Sequence, residues 1–143
     1  MRAGMAASLL AATLFLGGCS AASVDANSGP TAAAAPAAGS SLSPADFAAA
    51  AKLPDTVLLD VRTPSEFAAG HLSGAVNLDV QSAAFPQAAA ALDPAKNYAI
   101  YCHSGNRSKT AMTAMDQAGF SHLFDLAGGI TAWQSSGGQV VTG

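Results

Sequence analysis

The stretch Asn97-Tyr98-Ala99-Ile100-Tyr101-Cys102-His103-Ser104-Gly105-Asn106-Arg107-Ser108 decides the fold. Its first five residues form an apolar run of strand length that leads straight into Cys102. A short polar loop follows, and beyond it Ala111, Ala114, Met115 and Ala118 recur at helical spacing, with Gly119 placed to end the helix. Strand, cysteine, loop and helix therefore come in direct succession. In parallel α/β sheets the working loops lie at the carboxyl ends of strands. Cys102 stands at such an end.

The same alternation extends in both directions. Ser43-Pro44-Ala45-Asp46 reads as a helix start, with Ser as cap and Pro at the first position. Thr56-Val57-Leu58-Leu59-Asp60-Val61 is a continuous apolar run of the buried parallel type. Thr63-Pro64-Ser65-Glu66 carries the reciprocal capping pattern. Gly74 to Leu78 is a short strand, and Pro86 to Leu92 an Ala-rich helix stopped by Asp93-Pro94. Leu123 to Leu126 is a further strand, Gly128-Gly129 opens a short helix carrying Trp133, and Gln139-Val140-Val141 is expected as a last edge strand. The expected fold class is α/β: a central, mainly parallel five-stranded sheet with helices on both faces, three layers in all.

The chain has 143 residues, enough for one domain, and a formal net charge of −3. It has no basic stripe, so a nucleic-acid partner is not expected. The histidines His71, His103 and His122 lack a close ligand spacing, so a metal site is not expected. Residues 20–41 are almost entirely Ala, Ser, Gly and Pro and read as a flexible tether, which puts the start of the folded domain near Leu42.

The N-terminus carries Arg2 and an apolar run, Met5 to Leu16, that is short for a bilayer span. It ends in Leu16-Gly17-Gly18-Cys19, which resembles the lipobox of bacterial lipoproteins. That resemblance implies a signal peptide over 1–18 and lipidation at Cys19. It also implies a membrane anchor in the cell envelope, on the periplasmic side. Ser20 at the next position resembles the outer-membrane sorting pattern of double-membraned bacteria. Ordinary secretory cleavage after Ala22 is the alternative. With Cys19 lipidated, Cys102 is the one remaining thiol and no disulfide can form within the chain.

The loop suits a reactive thiol. Residues His103 to Ser108 can turn backbone N–H groups inward, and the helix that follows adds the positive end of its dipole. Both effects favour a negative sulfur, so Cys102 is the expected nucleophile. Arg107 and Lys109 add positive charge for an anionic substrate. Asp60 and Arg62 are read as framework that holds loops by charge-assisted bonds, and Glu66 as the residue that closes the capping box. Trp133, Met112 and Met115 are read as core.

Cys102-x-x-Gly105-x-Arg107-Ser108 resembles the active-site loop of single-domain rhodaneses, the thiosulfate sulfurtransferases. Asp60-Val61-Arg62, with Glu66-Phe67 and Gly70 to Asn77, resembles an earlier block of that family, and Leu126-Ala127-Gly128-Gly129 with Trp133 a later one. The resemblance spans 42–143 and implies the rhodanese-like fold. It implies that Cys102 takes sulfur from thiosulfate or a persulfide donor and passes it to cyanide or a thiol acceptor. His103, Ser104, Gly105, Asn106, Arg107 and Ser108 would bind the substrate, with no metal or organic cofactor needed, and His71 would bond backbone in a turn. The compact domain is compatible with a monomer. Phosphatase relatives place their Arg one residue further from Cys, so a phosphatase or arsenate reductase is the rival enzyme. A module that stores sulfane sulfur for a partner without turnover is the rival of a different class.

Overall fold

The computed structural model of the chain describes Ala26 and residues 29–143. The expected signal peptide 1–18 and Cys19 lie outside the described residues. In chain order the elements are β1 (Ser40–Leu42), α1 (Pro44–Ala51), β2 (Thr56–Asp60), α2 (Pro64–Ala69) and β3 (Val76–Asn77). They continue with α3 (Phe85–Ala90), β4 (Asn97–Tyr101), α4 (Asn106–Gln117), β5 (Leu123–Leu126) and α5 (Gly129–Ser135).

The helix starts form as their sequences require. Ser43 Oγ accepts the Asp46 N–H at 3.2 Å with Pro44 in the first turn of α1. Thr63 Oγ1 accepts the Glu66 N–H at 3.3 Å, and Glu66 Oε2 accepts the Thr63 N–H at 3.1 Å. That reciprocal pair satisfies two N–H groups that a helix start leaves open. Helix α2 has no buried residue, so its local bonds matter more than packing.

The strands form one parallel sheet in the order β1-β5-β4-β2-β3. Successive side chains of β4 point to opposite faces, as strand geometry demands. Ala99 and Tyr101 join Phe47, Leu58, Phe124, Leu126, Ile130 and Trp133 under α1 and α5. Tyr98, Ile100 and Cys102 join Leu59, Phe85, Ala111, Met115 and Leu123 under α3 and α4. Alanines on these helices bury little area each. The large side chains contribute most, at about 1.5–3 kcal/mol for each Leu, Phe or Met fully buried.

Two expectations need correction. The fifth strand is Ser40–Leu42, while the expected strand at 139–141 is a single antiparallel bridge between Val141 and His71. Bonds from the Val141 N–H to the His71 carbonyl (2.8 Å) and from the His71 N–H to the Val141 carbonyl (2.9 Å) fasten that tail. The folded unit also starts earlier than Leu42, because Leu42 itself lies inside β1 and Ala32 donates its N–H to the Ala49 carbonyl at 2.9 Å. Ser40 and Ser41 lack the β-branched pattern that marks a strand. Backbone pairing with β5 extends them instead.

Candidate active site

Strand β4 ends at Tyr101, and the chain turns at Cys102, whose side chain is buried. Gly105, the residue before α4, has φ +98°, a left-handed conformation that favours glycine. The turn brings the Gly105 N–H to 3.0 Å from the Cys102 sulfur. The sulfur therefore lies at the start of a twelve-residue helix, where the dipole favours negative charge. Burial by itself would fit an inert packing thiol. The N–H aimed at sulfur is company that an inert thiol does not need.

Helix α5 fixes the other side of the loop. Its Ile130 N–H donates to the Cys102 carbonyl at 2.9 Å, and its Thr131 N–H to the His103 carbonyl at 3.2 Å. These bonds use N–H groups that the start of α5 would otherwise leave open. Each peptide is planar and trans, so a carbonyl drawn toward α5 turns its partner N–H to the opposite side. The N–H groups of His103 and Ser104 are thereby directed away from α5. Gly129 makes the approach possible, since a Cβ there would stand 2.5 Å from the carbonyl oxygens of Cys102 and His103.

Behind the sulfur lies Ser108. Its hydroxyl is 3.7 Å from the Cys102 sulfur, 2.6 Å from Asp125 Oδ2 and 3.1 Å from the Gly105 carbonyl. Asp125 is fully buried on β5, and its other oxygen accepts from Ser41 of the neighbouring β1. It has no ion pair among the described residues.

Arg107 leaves α4 toward α2. Its two terminal nitrogens donate to the two oxygens of Glu66, both at 2.7 Å, and one also reaches Gln81 Oε1 at 3.3 Å. The Arg107 bonds are the largest reason that the Glu66 carboxyl is held down to about 2, with the Thr63 bonds adding to them against burial. Glu66 in turn holds Arg107 above its ordinary value, helped by the charges of Cys102 and Asp79. Arg107, expected to offer its charge to a substrate, is thus engaged across the rim by Glu66. His103 and Ser104 on the loop and Asn106 at the start of α4 are exposed.

The Asp60–Arg62 group is framework, as its residue types suggested. Arg62 grips Asp60 through Nε (3.0 Å) and a terminal nitrogen (2.6 Å), and that nitrogen also donates to the Gly70 carbonyl at 2.7 Å. Burial opposes the Arg62 charge, but the Asp60 carboxylate outweighs it and raises the group above its ordinary value. Tyr101 lies against this pair and accepts the Leu72 N–H at 3.1 Å. Burial, followed by the nearby Asp60 charge, pushes its hydroxyl well above the usual phenol range. His71 bonds the Phe67 carbonyl at 2.9 Å and stacks on the Phe67 ring, so it is occupied in its turn. Trp133 is core, and Met112 and Met115 pack under α4.

Sequence reasoning missed the inner shell of the site. Asp125, Ser41 and the Glu66–Arg107 link are all contacts between residues far apart in the chain. One signal was available: Asp125 is the lone carboxylate in the otherwise apolar run Leu123-Phe124-Asp125-Leu126. Among the described residues no three His, Cys, Asp or Glu side chains gather where a metal could be held.

Comparison with known proteins agrees with this architecture. The family model described as a rhodanese-like domain matches residues 43–136. A thiosulfate sulfurtransferase, GlpE, of Pseudomonas aeruginosa is 40% identical over 78 residues, covering 54% of this chain and 69% of that protein. Thiosulfate sulfurtransferase 16 of Arabidopsis thaliana, a chloroplast protein, is 35% identical over 89 residues, covering 55% of this chain and 74% of that one. The crystal structure of a rhodanese-related protein from Thermoplasma volcanium superposes with a TM-score of 0.65 at 31% identity, covering 73% of this chain and 99% of that chain. With its five-stranded parallel sheet, its Cys102 loop and a family match over most of its length, this chain belongs to the rhodanese-like domain family.

Proposed function

We propose that the protein is a thiosulfate sulfurtransferase in which Cys102 carries the travelling sulfur as a persulfide. The observation that carries this reading is the Gly105 N–H donated to the Cys102 sulfur at 3.0 Å, at the mouth of α4. Such a donor stabilises a thiolate and the persulfide that replaces it.

In the first half-reaction the Cys102 thiolate attacks the outer sulfur of thiosulfate. A new S–S bond forms, the S–S bond of the donor breaks, and sulfite leaves with the electron pair. In the second, cyanide or a thiolate attacks the terminal sulfur and the Cys102 thiolate departs. The amides of His103 and Ser104, turned away from α5, supply further donors for the anion. Ser104, Gly105 and Asn106 complete the cradle with His103 at its edge, while Glu66 holds Arg107 at the rim and Ser108 lies behind the sulfur. The spacing of four residues between Cys102 and Arg107 supports sulfur over the larger phosphate.

Intact mass spectrometry after thiosulfate treatment tests the site. One added sulfur atom is expected on the wild type and none on Cys102→Ala, with removal by cyanide or dithiothreitol. Addition to both proteins, or to neither, contradicts the assignment. The burial of Cys102 favours one second reading, a module that holds sulfane sulfur until a partner opens the site. That module would gain the same mass yet form no thiocyanate under steady-state assay.

The proposal extends to the cell envelope. Leu16-Gly17-Gly18-Cys19 supports a lipid anchor on Cys19, joined to the folded unit by the Ala-, Ser- and Gly-rich residues that follow it. In a bacterial host, Cys19→Ala should move the protein from the membrane to the soluble fraction. Unchanged membrane association would remove the anchor from the proposal.

A further inference from the structure

A buried carboxylate stands two hydrogen-bond steps behind the reactive sulfur, and the sulfur-transfer scheme above makes no use of it. Asp125 is fully buried, and among the described residues its carboxylate meets only the hydroxyls of Ser108 and Ser41. Such a site is costly for a charge, because hydroxyls replace water poorly and no cation among the described residues pairs with it. A strand position inside an apolar sheet would be filled more cheaply by Val or Leu.

The Ser108 hydroxyl has one proton and three neighbours. The nearest acceptor, and the one carboxylate among them, is Asp125 Oδ2 at 2.6 Å, against 3.1 Å to the Gly105 carbonyl. The proton therefore lies toward Asp125. A lone pair of Ser108 is left to face the Cys102 sulfur at 3.7 Å, in position to receive the S–H proton.

We infer that Asp125, acting through Ser108, accepts the proton of Cys102, which makes it a positioning residue for the thiolate. The inference rests on Cys102 being the reactive thiol of the proposed function. The S–H bond breaks as Ser108 takes that proton, and the former Ser108 proton passes to Asp125 Oδ2. The electron pair stays on sulfur, so nothing is oxidised or reduced. Negative charge moves from a carboxylate held by two hydroxyls to a sulfur met by the Gly105 N–H and the start of α4.

The surrounding charges leave this exchange to the pair itself. On α4, Arg107 is committed to Glu66 of α2, and Lys109 is exposed. Asp79, in the β3–α3 connection, acts on Arg107, and His103 beside the thiol is exposed. From β1 comes only the Ser41 hydroxyl, and α5 has no ionisable side chain.

The test follows the rate of Cys102 modification from about pH 6 to about pH 9, spanning the ordinary thiol range. Two reagents are used on the full chain: thiosulfate, read as added sulfur, and iodoacetamide, read at the Cys102 peptide so that Cys19 is counted separately. In the wild type both rates should be nearly flat with pH. In Asp125→Asn and in Ser108→Ala they should rise about tenfold per pH unit and approach the wild type at the alkaline end, since only the thiolate reacts. The double variant should match the slower single one, because both changes cut the same path.

A loss of equal size at every pH would assign Asp125 a structural role and overturn the inference. So would rates equal to the wild type at all pH, or losses that add in the double variant. Ser108→Ala leaves Asp125 its Ser41 bond, and it decides the matter if Asp125→Asn does not fold. Iodoacetamide needs no sulfur donor. If alkylation shows the pH pattern while thiosulfate loads no variant, the proton path stands and the sulfur-donor reading falls.

Discussion

Asp60 and Asp125 are both fully buried, one closing β2 and the other inside β5, yet their surroundings differ in kind. Asp60 is gripped by the Arg62 guanidinium, which also ties down the Gly70 carbonyl. Asp125 has two serine hydroxyls and no cation among the described residues. A paired buried charge is framework, because removing either partner strands the other. An unpaired one sits at a cost that folding does not explain, and its nearest reactive neighbour is the Cys102 sulfur. The comparison teaches that burial alone does not separate structural from chemical carboxylates. The partner does.

Three measurements of unfolding in urea can break or sharpen this contrast. The largest effect is expected for Asp60→Asn, which leaves the buried Arg62 charge unpaired and should cost about 3–5 kcal/mol. A cost below about 1 kcal/mol would mean that the pair is not framework, since exposed pairs lie in that range. Next comes Glu66→Ala, which removes the capping box of α2 and the Arg107 pair and should cost about 1 kcal/mol.

Glu66 also predicts a pH dependence. Its carboxyl drops from an ordinary 4.5 to about 2 in the folded protein, mainly through Arg107. The unfolded chain therefore binds the proton more readily between those values. The stabilisation is fully present above the unfolded value and is lost as pH falls through the folded one. The gap between wild type and Glu66→Ala should narrow accordingly on acidification, and a gap unchanged at the acid end would refute the ionic origin.

The smallest change is expected for Asp125→Asn, within about 1 kcal/mol in either direction, because the amide can still bond both serines and carries no charge. A loss as large as that of Asp60→Asn would make both carboxylates framework and erase the contrast.

The sequence was informative wherever structure is local. The cap at Ser43, the capping box at Thr63 and Glu66, and the strands over Thr56–Asp60 and Asn97–Tyr101 are written in neighbouring residues. The bond of His71 to the Phe67 carbonyl four residues earlier is equally short-range, although it was the family resemblance that pointed to it. Strand β1 was not legible, since Ser40-Ser41-Leu42 has no strand pattern of its own and is extended by pairing with β5. Its loss from the reading hid Ser41, and with it half of the Asp125 environment.

By itself, then, the sequence determined the parallel α/β alternation and put Cys102 at the end of a buried strand, ahead of a glycine-containing loop and a helix. Periodicity, caps and turn residues act over a few positions, so they can be read without the fold. Tertiary structure alone decided what faces the sulfur: the Gly105 N–H aimed at it, the α5 N–H groups that hold the loop carbonyls, and the Ser108–Asp125–Ser41 chain behind it. Those contacts join residues up to 84 positions apart, and only the packing of β1, β5 and α4 around the end of β4 brings them together.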